Sequence, residues 1–334
     1  MELLLAASAA GHTVLPYEIV TRLCPADAVG DAIDAGEVTE LPWRGARAVA
    51  LTDLAEDEEL LAEGLAALAA ENRLAVVTGS QPQARRRKLD AALPPGMPCV
   101  VLDDAHLTTV EDAAAAVEDL PEDAVLAFSL DHALPLGPGP GAVALDLAAS
   151  GVCPVLRADE SPGPRLLDQA REEVAAGRWP SGEGAGEDRS WVTVPVASPD
   201  EAVRRVHQLL TTSIPRAFGV PAAEVGVLLA EGALEPAQVV DGLDGTPPQV
   251  VPLAGVPAQA WRAVVIVLPG SAPASLTRAV LYAGMRAGTE HVSVVHGMGT
   301  AALTQLVAGT TDRPRRTRLV ELLHWASGAG PALV

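Results

Sequence analysis

Two short stretches carry residue types that could handle a phosphate. In "RLAVVTGSQPQARRRKLDAAL", Arg73 to Leu93, an apolar run ends at Thr78-Gly79, the point where a phosphate loop would begin. Such a loop needs glycines, so that backbone amides can wrap the anion. It then needs a lysine for the terminal phosphates and a hydroxyl for Mg²⁺. Here Ser80-Gln81-Pro82-Gln83-Ala84 stands in the glycine positions, Arg85 in the lysine position and Arg86 in the hydroxyl position. A guanidinium attracts phosphate but is bulkier than an ammonium and does not replace it. Pro82 removes an amide donor, and Arg86 cannot ligate a cation. The second stretch is "CVVLDDAH", Cys99 to His106, where an apolar run delivers Asp103 and Asp104 to its C-terminal end. An aspartate there can hold Mg²⁺, and it can equally cap a following helix.

The elements that would position these residues follow from periodicity. Strands are expected at Leu74–Thr78, Cys99–Leu102, Ala124–Phe128 and Val152–Leu156, and helices at Ala84–Leu93, Thr109–Leu120, Val143–Ser150 and Arg165–Ala176. This βα rhythm implies a mostly parallel sheet covered on both faces. Asp53 to Asn72 reads as a long helix capped by Asp53. Upstream, helices at Glu2–Ala10, Pro16–Leu23 and Ala26–Ala35 and a ribbon turning at Arg44-Gly45 suggest a winged-helix shape. The segment that would read DNA, "PADAVGDAIDAG", has three aspartates and no Lys or Arg, which favours a packing module. "GRWPSGEGAGEDRS", Gly177 to Ser190, reads as a linker. A second α/β series follows. Its strands are Trp191–Val194, Val225–Leu229, Val250–Leu253, Ala263–Leu268 and His291–Val295, and its helices Pro199–Thr211, Leu276–Met285, Thr300–Ala308 and Arg318–Ala326. The resulting division is 1–52, 53–180 and 190–334.

Composition narrows the function. The 334 residues carry a net charge of −20, which opposes non-specific nucleic-acid binding; the best candidate for a local basic patch is "ARRRK", Ala84 to Lys88. Aromatics are 3%, so Ala, Val and Leu must fill the core. Three cysteines without C-x-x-C spacing carry no zinc or redox motif and fit a reducing cytosol. The start "MELLLAASAAGHT" has no basic n-region and reads as an amphipathic helix rather than an export signal. No stretch reaches the roughly 20 apolar residues of a membrane span. G-x-S-x-G, H-E-x-x-H and G-x-G-x-x-G followed by an acid are missing. "GPGPG", Gly137 to Gly141, has alternate prolines without amide donors and reads as a rigid turn.

The order of these segments resembles the RecD-like branch of superfamily 1 DNA helicases over most of the chain. "AVVTGS" is similar to the entry of helicase motif I and "CVVLDDAH" to motif II. "LPLGPGPGAVALDLAASGVCPVL", Leu134 to Leu156, is the most specific match, and "AREEVAAGRWP" follows it as in the family. "AGHTVLPYEIVTRL" resembles the family's small N-terminal domain, and "LTRAVLYAGMRAGTEHVSVVHG" resembles motif VI with its strand. The resemblance implies two tandem RecA-like parallel-sheet domains of the P-loop NTPase type, behind a small winged-helix-like segment.

It also implies ATP and Mg²⁺ in a cleft and single-stranded DNA as track, so each working residue is compared in turn. Thr78 and Gly79 keep the motif I entry, whereas Arg85 and Arg86 replace its Lys and Thr. Asp103 keeps the Mg²⁺ position, and Asp104 replaces the glutamate that orients water. Ala133, in Ser129-Leu130-Asp131-His132-Ala133, takes the place of a γ-phosphate-sensing glutamine, and His132 reads as a surface or capping histidine. Arg157 lies out of register with the family's next arginine, and "AGVPAQAW" lacks the lysine and Gln-Gly pair of motif V. Arg286 sits where motif VI has its arginine, or serves as a cation at a helix C-terminus. Between Val225 and Trp261 there is no room for the family's inserted β-rich domain.

The reading that follows is a degenerate RecD-like helicase-fold protein in the cytoplasm. It lacks ATPase and unwinding activity, needs no cofactor, and acts on an unknown protein partner as a scaffold or accessory subunit of DNA processing. The alternatives are an ATP-dependent DNA helicase with a noncanonical site, using ATP, Mg²⁺ and single-stranded DNA, and a nucleotide-binding regulator with Arg85 and Arg286 as anion contacts.

Overall fold

In the computed structural model the apolar runs and helical segments fold into two units. Residues 1–158, 165–180, 188–243, 245–256, 260–309 and 315–328 are described. Unit 1 comprises Met1–His132, Leu136–Glu160 and Pro314–Val334; unit 2 comprises Ala133–Pro135 and Ser161–Arg313.

Unit 1 begins with α1 (Glu2–Ala9), β1 (Leu15–Pro16), α2 (Tyr17–Leu23), α3 (Ala26–Asp34), β2 (Val38–Trp43) and β3 (Ala46–Leu51). The ribbon turns at Arg44-Gly45 as expected and gains β1, giving an antiparallel sheet β1-β3-β2. Next comes α4 (Thr52–Ala70), which buries Ala55, Glu58, Leu61, Ala62, Leu65, Ala66 and Leu68 at helical spacing. Asp53 does not cap it. Strand β3 runs directly into the helix, Leu51 is the cap residue, and the Thr52 N–H is taken by the Glu37 carbonyl at 3.1 Å.

The parallel sheet of unit 1 is built from β4 (Leu74–Thr78), β5 (Cys99–Leu102), β6 (Val125–Leu130) and β7 (Val155–Arg157), in the order β5-β6-β4-β7. Between these strands run α5 (Pro82–Ala92), α6 (Val110–Glu118) and α7 (Val143–Ser150). A reciprocal capping box between Thr109 and Asp112 starts α6. Gly151, at φ +71°, ends α7 in the left-handed conformation that favours glycine.

Unit 2 carries α8 (Leu166–Ala175), β8 (Trp191–Pro195), α9 (Pro199–Gln208), α10 (Ile214–Phe218), β9 (Val225–Leu229), α11 (Pro236–Val240), β10 (Gln249–Pro252), β11 (Trp261–Leu268), α12 (Arg278–Arg286), β12 (Gly288–His296) and α13 (Thr300–Ala308). All its strand pairs are parallel, in the order β10-β9-β11-β12-β8. Apolar side chains from both faces form separate core layers, as a sheet covered on both sides requires. The single helix expected over Pro199–Thr211 is instead α9, one π-helical turn at Leu209–Ser213, and α10. Pro215 explains this: it has no N–H to continue the α-helical ladder, and the wider turn accommodates its ring.

Unit 1 is completed by α14 (Leu319–Ala326), expected in the second α/β series. Leu319, Leu322 and Leu323 join the core formed by α4, β4, β6 and α7. Helix α8, expected with the first series, belongs to unit 2, and the 1–52 segment belongs to unit 1. Residues 181–187 of the linker expected at Gly177–Ser190, and parts of "LRADESPG" and "AGVPAQAW", lie outside the described residues. Among the described residues no helix is long and apolar enough to cross a membrane.

Candidate functional site

The site is built where β4, β6 and the end of β5 converge. Only Gly79, Ser80 and Gln81 connect β4 to α5, which starts at Pro82. That is too short to wrap peptide amides around a phosphate. Helical spacing turns Ala84, Arg85 and Leu89 of α5 inward.

Arg85 is therefore buried, with 1% of its surface exposed. Its Nε donates to the Ser129 hydroxyl at 2.9 Å and a terminal nitrogen donates to the Gly79 carbonyl at 2.7 Å. Its other terminal nitrogen lies 3.9 Å from the Asp104 carboxylate. A carbonyl and a guanidinium thus meet at the position where a phosphate loop would present N–H donors. Asp131, at the end of β6, is also buried. His106, in a short 3₁₀ turn after β5, is nearly so, and its Nδ1 has no partner among the described residues. Burial pushes the His106 pKa below its ordinary value; Asp104 and Asp131 pull it up and Arg85 pushes it further down.

The remaining residues singled out from the sequence are distributed as follows. Thr78 is half-buried at the end of β4, and Gly79 follows it. Arg86 is not at the site: it lies on the outer face of α5, paired with Asp90 one helical turn on at 3.2 Å, with both side chains more than half exposed. The reason is periodicity, since Arg85 takes the inward position and its neighbour must rotate away. Asp103 and Asp104 are both exposed, and Asp104 adopts φ +53° at the start of the 3₁₀ turn. No group of three or more His, Cys, Asp or Glu able to hold a metal occurs among the described residues. His132 is exposed, and Ala133 is buried in the core of unit 2.

Arg286 is in unit 2, at the C-terminal end of α12. Beside it Arg171 donates to the carbonyls of Met285 and Gly288, and burial, then Arg286, bring the Arg171 pKa down to about 10. The Met285 carbonyl near the C-terminal end of α12 is therefore already served by a guanidinium from α8, 114 positions earlier in the sequence.

The sequence reading missed Ser129, Asp131 and His106 as one cluster with Arg85. The available signal was the four-residue spacing of Arg85 and Leu89, which places both on one helix face.

"GPGPG" is a turn, and its chemistry is cationic. The carbonyls of Gly137, Gly139 and Gly141 all accept from the Arg315 guanidinium, the second at 3.1 Å. Gly141, at φ +97°, also lies where an added Cβ would come within 2.8 Å of Val110.

The class that fold and site define is a mixed α/β protein with two parallel sheets. No protein-family model matches the sequence and no curated protein matches it. Among solved structures it is similar to arterivirus nonstructural protein 10, a helicase, at 11% identity over 81% of this chain and 72% of that one, with a TM-score of 0.35. A fit that loose carries no argument about function.

Proposed function

We propose that the chain is a helicase-fold protein of the RecD-like kind, with two RecA-like units and a winged-helix-like start, in which no ATP site operates. It serves in the cytoplasm as an accessory or scaffold subunit linked to DNA processing, through contacts with another protein. The motif order along the chain supports the fold. So does the sheet order β5-β6-β4-β7, in which one strand separates the acid-bearing β5 from β4. The observation that carries the functional part is Arg85: its guanidinium fills the crevice after β4 and is held there by Gly79 and Ser129.

Calorimetric titration of the whole chain with Mg-ATP tests this reading. No binding at millimolar nucleotide is expected. Tight Mg²⁺-dependent binding followed by hydrolysis overturns it in favour of a working motor. Binding without hydrolysis overturns it in favour of a nucleotide-dependent regulator.

A further inference from the structure

A cavity of about 380 Å³ lies within unit 2, between the edge of its sheet and the helical segment that contains the π turn. That volume falls in the range of small-molecule sites. Val192 and Val194 of β8 and Leu209, Ile214, Ala217 and Phe218 of the helical segment line it, so most of a ligand there would meet apolar atoms.

The polar groups divide into spent and available ones. His291 and Ser293 of β12 line the cavity and satisfy each other. The Arg189 carbonyl can only accept, so His291 Nδ1–H donates to it at 2.7 Å and Nε2 accepts from the Ser293 hydroxyl at 2.7 Å. The Asp188 carboxylate is occupied by the N–H groups of Leu166 and Ser190, both at 2.8 Å. What remains is cationic or donating. Arg189 is exposed at the rim; the Arg205 side chain is 47% exposed, gives one N–H to the Gln208 side-chain oxygen at 3.0 Å and lies 3.8 Å from Glu201, and its other N–H groups face outward.

We propose that this cavity binds a small organic anion with an apolar body, a medium-chain or aryl carboxylate. Its body lies against Val192, Val194 and Phe218 and its anionic head lies at the rim with Arg205 and Arg189. The one carboxylate that lines the cavity, Asp188, is already held by backbone N–H groups, so the N–H donors left over on Arg205 and Arg189 are the groups a head at the rim meets.

The test uses two fluorescent probes on the whole chain: anilinonaphthalene sulfonate, which is anionic, and phenylnaphthylamine, its neutral counterpart. The anionic probe is expected to bind in one saturating phase and to be displaced by decanoate. Ala217→Phe, which fills the cavity, is expected to abolish binding of both. Arg205→Gln is expected to weaken the anionic probe about fivefold and leave the neutral one unchanged. Arg205 is at the surface, so that variant folds and decides the matter even where A217F does not. Absence of probe binding, binding that survives A217F in folded protein, or equal loss of both probes with R205Q overturns the proposal.

Discussion

At the scale of single residues, Arg85 decides more than any other side chain. Removing it leaves the Gly79 carbonyl and the Ser129 hydroxyl without their donor and opens a void behind α5. Arg85→Ala is expected to destabilise unit 1 by about 3 kcal/mol, read by denaturant unfolding, and still not to create Mg-ATP binding. Arg85→Lys recovers part of the loss, because an ammonium cannot place donors at both partners with the fixed guanidinium geometry. His106 sets a pH dependence nearby. Its folded pKa is lowered, so its contribution to stability is intact above the ordinary value of 6.5 and is lost as pH falls below it. His106→Phe is expected to flatten the loss of unit 1 stability between pH 7 and pH 5 in thermal melts (about the range over which an ordinary histidine titrates). In "ARRRK" nothing local distinguishes the buried arginine from the exposed one beside it. Only the register of α5 against its sheet does so, and that register is a tertiary property.

At the scale of elements, α4 and the segment leading into α14 form a polar seam inside an apolar core. Glu58, fully buried on α4, accepts from the Thr13 hydroxyl at 3.0 Å and from the Arg318 N–H at 2.9 Å. Burial raises its pKa to about 7, and the nearby Asp146 adds to the rise; the Arg318 backbone and charge and Thr13 oppose it. Asp146, on α7, is itself raised to about 6 by burial, against Thr317, Arg315 and Arg44. A carboxyl with a raised folded pKa favours the folded state at low pH, and this preference is lost as pH rises from its unfolded value through the folded one. For Glu58 the shift corresponds to about 3 kcal/mol. Glu58→Gln is therefore expected to lower the pH dependence of stability between about pH 4.5 and pH 7 and to stabilise the protein at pH 8, checked by urea unfolding at several pH values. Arg315→Ala, which empties the carbonyl crown at Gly137, Gly139 and Gly141, is expected to speed amide exchange in α7 and α14 before other helices of unit 1.

Many of these elements were legible. Leu74–Thr78, Val143–Ser150, Val225–Leu229 and Thr300–Ala308 have the bounds expected, because apolar runs or a terminating glycine mark them locally. The π turn and the partners of Glu58 were not. Glu58 and Arg318 lie 260 positions apart, and no local pattern records such a pairing.

At the scale of the whole molecule, charge is the dominant property. With 43 acidic against 23 basic residues, the average field repels a polyphosphate, and the basic run on α5 is partly spent on Ser129, Gly79 and Asp90. Single-stranded DNA is expected to bind no more tightly than about 10⁻⁴ M at physiological salt, followed by fluorescence anisotropy. Micromolar affinity with a steep salt dependence would mean that a basic track exists which the charge balance hides.

Unit 2 is spliced into unit 1: the chain leaves the first sheet after β7, builds an entire second sheet, and returns only with Arg315, Arg318 and α14. On a ribosome the second sheet is thus free to close while the first still lacks the helix that covers its core and the N–H group that Glu58 awaits. At ordinary elongation rates that interval lasts roughly ten to thirty seconds. During it the parts of α4 and α7 that α14 covers in the finished fold face solvent.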